Sequence, residues 1–182
     1  MTQSRIIQED VREIANELKE LTPRLNGKTV LISGGAGFLG RYLVATLDYL
    51  NRHVLVHPCK IIIADTFISG TRDAVLQSEY ITLLQQDVSK PFRIDGPINF
   101  ILHAASIASP IFYNKFRVET IDAGVLGTKN LLELAREKNV ESFLFFSSSE
   151  VYGNPDPAHV PTKEDYNGNV SCIGPRACYD EP

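Results

Sequence analysis

Apolar residues fall into two spacings along the chain. Over residues 4–21, Ile7, Val11, Ile14, Leu18 and Leu21 recur every third or fourth position, with Glu, Arg and Lys between them. That period predicts an amphipathic helix, and Pro23 ends it. The stripe is expected to pack on the chain's own body, ahead of contact with another subunit. From Lys28 the pattern changes. Lys28–Ser33 (KTVLIS), Lys60–Asp65 (KIIIAD), Tyr80–Gln85, Ile98–His103 (INFILH) and Ser142–Ser147 (SFLFFS) are short apolar runs without polar alternation. They read as buried strands. Between them, Phe38–Asn51 is helical in pattern, as is a stretch from about Phe116 to Lys138 that carries Leu131, Leu132, Leu134 and Ala135. Strands of this kind need cover on both faces, which predicts a parallel sheet with helices on each side. Right-handed crossovers then give a doubly wound α/β fold. From Tyr152 on, Gly153, Asn154, Pro155, Pro157, Pro161, Asn167, Gly168, Asn169, Gly174 and Pro175 break all periodicity. A loop of that length inside a domain is usually functional or disordered. Two units are expected: an N-terminal helix over 1–25 and one α/β domain over 26–182.

Composition narrows the function classes. At 182 residues and 43% hydrophobic, the chain suits one soluble domain with a sizeable core. A net charge of -4 supplies no basic field for nucleic acid. No apolar run is long enough for a bilayer. The charged stretch Met1–Lys19 does not read as a secretory signal. Cys59, Cys172 and Cys178 are odd in number and form no CxxC pair. Reduced thiols in a cytoplasmic protein, with no metal site, are therefore expected.

The chemistry starts at Ser33-Gly34-Gly35-Ala36-Gly37-Phe38-Leu39-Gly40, between the first strand and the first helix after it. Both Gly35-x-Gly37-x-x-Gly40 and Gly34-x-x-Gly37-x-x-Gly40 spacings are present. Glycines there permit a positive φ, a close approach to a pyrophosphate and tight helix–strand packing. The helix N-terminus at Phe38 and Leu39 then stabilises the anion. A glycine cluster can also be a plain turn, but the flanking strand and helix give the context of a Rossmann-type dinucleotide site. Asp65 ends the second strand, where a carboxylate accepts hydrogen bonds from an adenosine ribose and repels a 2′-phosphate. NAD is thus favoured, while Arg72 nearby keeps NADP open. Asp87 and Val88 follow the third strand and are expected at the adenine.

Three further stretches carry a resemblance: His103-Ala104-Ala105, Ser147-Ser148-Ser149-Glu150-Val151-Tyr152-Gly153, and Gly174-Pro175-Arg176-Ala177-Cys178-Tyr179. Together they resemble the extended short-chain dehydrogenase/reductase family of NAD-dependent nucleotide-sugar epimerases, dehydratases and decarboxylases. The branch that converts UDP-glucuronate to UDP-xylose is the most similar, through Ser106–Tyr113, Ser149–Pro155 and Gly174–Glu181. The resemblance implies Ala104 and Ala105 at the cofactor, and Ser106, Ser109, Tyr113, Ser149 and Arg176 at the sugar nucleotide. It makes Tyr179 the general base, Ser148 its hydroxyl partner on the sugar 4-OH, and Glu150 the carboxylate that handles the C5 end. Dehydratases of the family carry an Asp-Glu pair where this chain has Ser149-Glu150, and simple 4-epimerases usually lack the glutamate. Taken singly, these residues also have plainer readings: a serine run capping a turn, a tyrosine packed in a loop, a solvated glutamate.

Two departures from the family pattern matter. A free tyrosine has a pKa of about 10, so its phenolate costs roughly 4 kcal/mol at neutral pH. The family offsets this with a lysine four residues after the tyrosine. The present sequence stops at Pro182, and Lys163 does not occupy the motif position. The expectation is a domain truncated before the C-terminal sugar-binding subdomain, with little turnover of its own. In the long helix, Gly124-Val-Leu-Gly127-Thr128 replaces the family's Asn-x-x-Gly-Thr; glycine there still tolerates a kink. The family also implies a homodimer through this helix. A 4-epimerase, a 4,6-dehydratase and a non-catalytic dinucleotide-binding module stay open as alternatives.

Overall fold

The apolar runs form strands that divide their side chains between two cores. The computed structural model describes residues 5–182, with side chains from Ile7 onward. Residues 1–4, where the helix expected over 4–21 would begin, lie outside the described residues. Strands β1 (Thr29–Ser33), β2 (Lys60–Asp65), β3 (Ile81–Gln85), β4 (Phe100–His103) and β5 (Ser142–Phe145) lie in one sheet in the order β3-β2-β1-β4-β5. Every neighbouring pair is parallel. The chain moves outward from β1 to β3 on one side and to β5 on the other. The reversal falls between β1 and β4, and open α/β sheets bind ligands at the carboxyl ends of such strands.

The central strand explains why its run lacks polar residues. All of β1 is buried. Val30 and Ile32 face one core with Ile61, Ile63, Val44 and Leu50. Leu31 faces the other with Ala64, Ile101, Leu131 and Leu134. Each such aliphatic side chain contributes about 1.5–3 kcal/mol through burial. The outer strand β5 departs from expectation: Leu144 and Phe145 are 48% and 44% exposed. It pairs with β4 alone among the described strands, and only Phe143 of its run packs into the second core.

Helix α1 (Arg5–Glu17) packs on α2 (Phe38–His53). Val11 and Ala15 are buried there, and Tyr42 Oη donates to Asp10 at 2.9 Å. The expected stripe thus lies on the chain's own body, but α1 ends before Leu18. Leu21 is left exposed, and a 3-10 turn with Pro23 near its start follows over Thr22–Leu25. The helix expected from about Phe116 to Lys138 is broken. After a short α3 (Pro110–Lys115) come α4 (Arg117–Asp122), a π-helical turn over Ala123–Gly127, and α5 (Thr128–Lys138). Glycines at both 124 and 127 lower helical preference there. Close approach fixes the second: a Cβ on Gly127 would sit 2.8 Å from Val88 Cγ2. The Pro/Gly-rich stretch is tied back by a bridge between Gly153 and Asn169, and leads into α6 (Ala177–Asp180). Among the described residues no helix is long and apolar enough to cross a membrane.

Candidate cofactor and sugar site

The groove follows from the ends of β1 and β4. Gly34 has φ +75°, and a Cβ on it would lie 2.6 Å from the Ala104 carbonyl oxygen. A Cβ on Gly35 would meet Ile63 Cγ2 at 2.6 Å, and one on Gly40 would overlap the Gly34 carbonyl oxygen. The glycine loop is therefore pressed against β2, against the end of β4 and against itself. Gly37 caps α2 with its backbone alone. The first-turn N–H groups of a helix have no partner within it. The residues of that turn, Phe38, Leu39 and Gly40, line a groove with Ser106 and Ser109.

That groove continues both ways. Towards β3 it is lined by Gly34, Gly37, Asp65, Asp87, Val88 and Ala105. Towards β5 it is lined by Leu39, Gly124, Ser148, Glu150 and Tyr179. Ala104 and Ser106 border all three stretches. A bare amide-rich loop flanked by two carboxylate-bearing strand ends fits a dinucleotide diphosphate with its nucleoside on the β2–β3 side.

Asp65 does more than border the groove. Its Oδ2 accepts from Ala36 N at 2.9 Å and its Oδ1 from Phe67 N at 2.7 Å. It thus fixes the glycine loop and a turn in which Phe67 takes φ +62°. A carboxylate has about four acceptor positions, so each oxygen keeps one for a ribose hydroxyl. Asp87 Oδ1 accepts from Ser89 N and Oγ at 2.9 and 2.7 Å. Val88 is buried, and its carbonyl accepts from Asn130 Nδ2. Arg72 lies at the rim of the groove. Gly70 packs against Ala36, and Arg72 follows, exposed, between Thr71 and Ala74, which line the groove.

On the sugar side, Ser148 Oγ accepts from Glu150 N at 3.3 Å and caps the 3-10 turn Ser149–Tyr152. The plain capping role and the groove-facing role thus belong to one residue. Ser149 starts that turn and is not part of the groove lining. The Glu150 carboxylate forms an ion pair with Arg176, whose Nη2 also lies 3.4 Å from Asp180 Oδ1. Asp180 first, then Glu150, raise the Arg176 pKa above its usual value. Arg176, expected at the sugar, is therefore engaged by two carboxylates of its own chain. Tyr113, expected at the sugar as well, is 5% exposed and stacks on Tyr179.

One buried residue beneath the groove is marked in the sequence only as the start of His103-Ala104-Ala105. His103 is 1% exposed; its Nδ1 lies 2.7 Å from Ser33 Oγ and its Nε2 3.1 Å from Thr128 Oγ1. Burial lowers its pKa to about 4, so the ring is neutral. Ser33 Oγ also accepts from Ala105 N at 3.4 Å. The ring therefore joins β1, β4 and the start of α5 under the groove. The signal was available: Ser33 and His103 are register partners at the ends of two parallel strands.

Known proteins share this outline. The model of the NAD dependent epimerase/dehydratase family matches residues 30–181. The chain is 41% identical over 155 residues to UDP-glucuronic acid decarboxylase 5 of Arabidopsis thaliana, covering 84% of this chain and 42% of that protein. It is 36% identical over 184 residues to UDP-glucuronic acid decarboxylase 1 of Danio rerio, covering 96% and 41%. Among solved structures, a UDP-galactose 4-epimerase superposes with a TM-score of 0.61 at 26% identity, over 84% of this chain and 46% of that one. The chain spans about two-fifths of the length of the curated relatives.

Proposed function

The chain belongs to the NAD dependent epimerase/dehydratase family, and on that premise we propose that it is the NAD-holding part of an enzyme that decarboxylates UDP-glucuronate to UDP-xylose. The observation that carries this reading is the continuous groove, with the glycine loop in its middle and Ser148, Glu150 and Tyr179 at one end. The names of the curated relatives support the choice of reaction.

In this reading the first-turn amides of α2 hold the diphosphate, while Asp65 and Asp87 hold the adenosine side. NAD, when bound, removes and returns the electrons at sugar C4. The Tyr179 phenolate accepts the C4 hydroxyl proton and gives it back when C4 is reduced again, with Ser148 Oγ hydrogen-bonded to the same hydroxyl. Oxidation leaves a ketone β to the C5 carboxylate. The C5–carboxylate bond then breaks, its electron pair moves to the C4 carbonyl as an enolate, and CO₂ departs. Protonation at C5 follows, and this reading gives Glu150 the role of assisting it. Ser106 and Ser109 border the path of the sugar nucleotide. The protein's contribution is placement and electrostatics.

The reading extends to assembly and setting. The relatives are more than twice as long as this chain. On its own the chain is expected to bind NAD and to turn over little sugar. A homodimer is proposed through α4, the π-helical turn and α5, where Val118, Ile121, Val125 and Leu132 are exposed. Cys59, Cys172 and Cys178 are free thiols, which suits a reducing cytoplasm. A 4-epimerase is the second reading, favoured by the likeness to UDP-galactose 4-epimerase.

Calorimetric titration of this chain with NAD tests the first half of the reading; no heat of binding at millimolar NAD would refute it. The natural protein, given UDP-glucuronate labelled at the carboxyl carbon, tests the second half. Released label supports decarboxylation. A 4-epimerised product without released label gives the reaction to the alternative.

A further inference from the structure

The element that carries Tyr179 cannot orient it unaided. Helix α6 is a single turn, Ala177–Asp180, and isolated helices of that length do not persist in water. Whatever fixes the phenol must come from packing. Two contacts stand out. Cys178 is 8% exposed and its Sγ lies 3.8 Å from the Tyr113 carbonyl oxygen. Next to it, the Tyr113 and Tyr179 rings stack with centroids 5.4 Å apart and planes 16° from parallel, an offset arrangement that aromatic pairs favour.

Tyr113 is itself held firmly. It lies in α3, and with Ile107 and Cys178 it forms a small core that Phe112, Phe116, Ile68 and Tyr179 complete. This core is separate from the two that sandwich the sheet. Tyr179 borders the groove, whereas Tyr113 is buried behind it.

We propose that Tyr113 is a positioning residue: its buried ring is the plate against which Tyr179 is set, and its role is to aim that phenol into the groove, not to touch the sugar. This rests on the reading of Tyr179 as the base, but the stack itself is tested without any turnover. The hydroxyl of Tyr113 is dispensable on this view and the ring is not.

The test is fluorine NMR of this chain with 3-fluorotyrosine in place of tyrosine, the Tyr179 signal being assigned from its loss in Tyr179→Phe. In the parent, ring current from Tyr113 displaces that signal from the position of an exposed tyrosine. Tyr113→Phe keeps the displacement. Tyr113→Leu, which preserves burial but removes the ring, moves the signal to the exposed position. NAD affinity within twofold of the parent reports that each variant keeps its fold. A Tyr179 signal unmoved in a folded Tyr113→Leu overturns the proposal. So does one that moves to the exposed position in Tyr113→Phe, which remains informative should Tyr113→Leu fail to fold. Failure of the base reading has a different signature: the natural protein carrying Tyr179→Phe would keep its turnover, whatever the NMR result.

Discussion

Lowering the pH should destabilise this protein through one residue, His103. Burial takes its pKa from 6.5 to about 4. The folded value lies below the unfolded one, so between those limits the unfolded chain binds the proton and the folded chain does not. Stability is therefore full above about pH 6.5 and is lost as the pH falls towards 4. For this shift, linkage gives a loss of about 2 kcal/mol between pH 7.5 and 5. That is a large share of the 5–15 kcal/mol that holds a typical domain together. The geometry explains the cost. Both ring nitrogens meet hydroxyl oxygens, Ser33 Oγ and Thr128 Oγ1, in a site without water access. An imidazolium there would lose its hydration and gain no carboxylate. Urea unfolding followed by circular dichroism at both pH values measures the loss. His103→Gln is the control. It loses about 1–3 kcal/mol at pH 7.5 for the buried bonds, but it should show about 2 kcal/mol less additional loss at pH 5 than the parent. Titrations common to both proteins cancel in that difference. Parallel stability losses in parent and variant would refute the reasoning.

Three other outcomes follow from the same geometry. Gly40→Ala puts a methyl on the Gly34 carbonyl and 2.7 Å from Gly35 Cα. Backbone on both sides cannot give way, so stability should fall by about 1–3 kcal/mol and calorimetry should show NAD affinity reduced more than tenfold. Asp65→Asn keeps the shape but points an amide N–H₂ at either Ala36 N or Phe67 N; several-fold weaker NAD binding in the same titration is expected, and unchanged affinity would remove Asp65 from the cofactor site. Iodoacetamide at pH 8 should add once per native chain, at Cys172, as read by mass spectrometry of its peptides. Cys59 is buried with its thiol raised to about 11, and Cys178 is buried too.

The sheet and the glycine loop were legible because their causes are local or periodic. An uninterrupted run such as Thr29–Ser33 has apolar side chains on both faces, and the structure gives it two cores. The glycine spacing marks places where any Cβ would strike backbone, which is a property of adjacent positions. The long helix misled because its apolar spacing hardly changes across the π-helical turn at Ala123–Gly127. An inserted residue shifts the face without erasing the pattern. Gly124 is the visible cue, since a glycine there tolerates a break in the helix.

The sugar side was legible as a set of residue types and not as an arrangement. Glu150, Arg176 and Tyr113 all belong to recognisable motifs, yet nothing in their spacing says that the arginine turns to the glutamate or the tyrosine to Tyr179. Both pairings depend on where a one-turn helix comes to rest after a long aperiodic loop, and that is decided by tertiary packing. The consequence is physical. The cofactor end of the groove is rigid because backbone builds it, and its properties can be argued from glycine positions. The end that bears Ser148, Glu150 and Tyr179 is held by the partly exposed pairing of Arg176 with Glu150, by one aromatic stack and by the small core around Cys178. A partly exposed pair contributes about 0–1 kcal/mol, and a stack about 0.5–1.5 kcal/mol beyond its burial. Substitutions of the exposed Arg176 and of Glu150 should therefore alter where the phenol points long before they alter whether the chain folds.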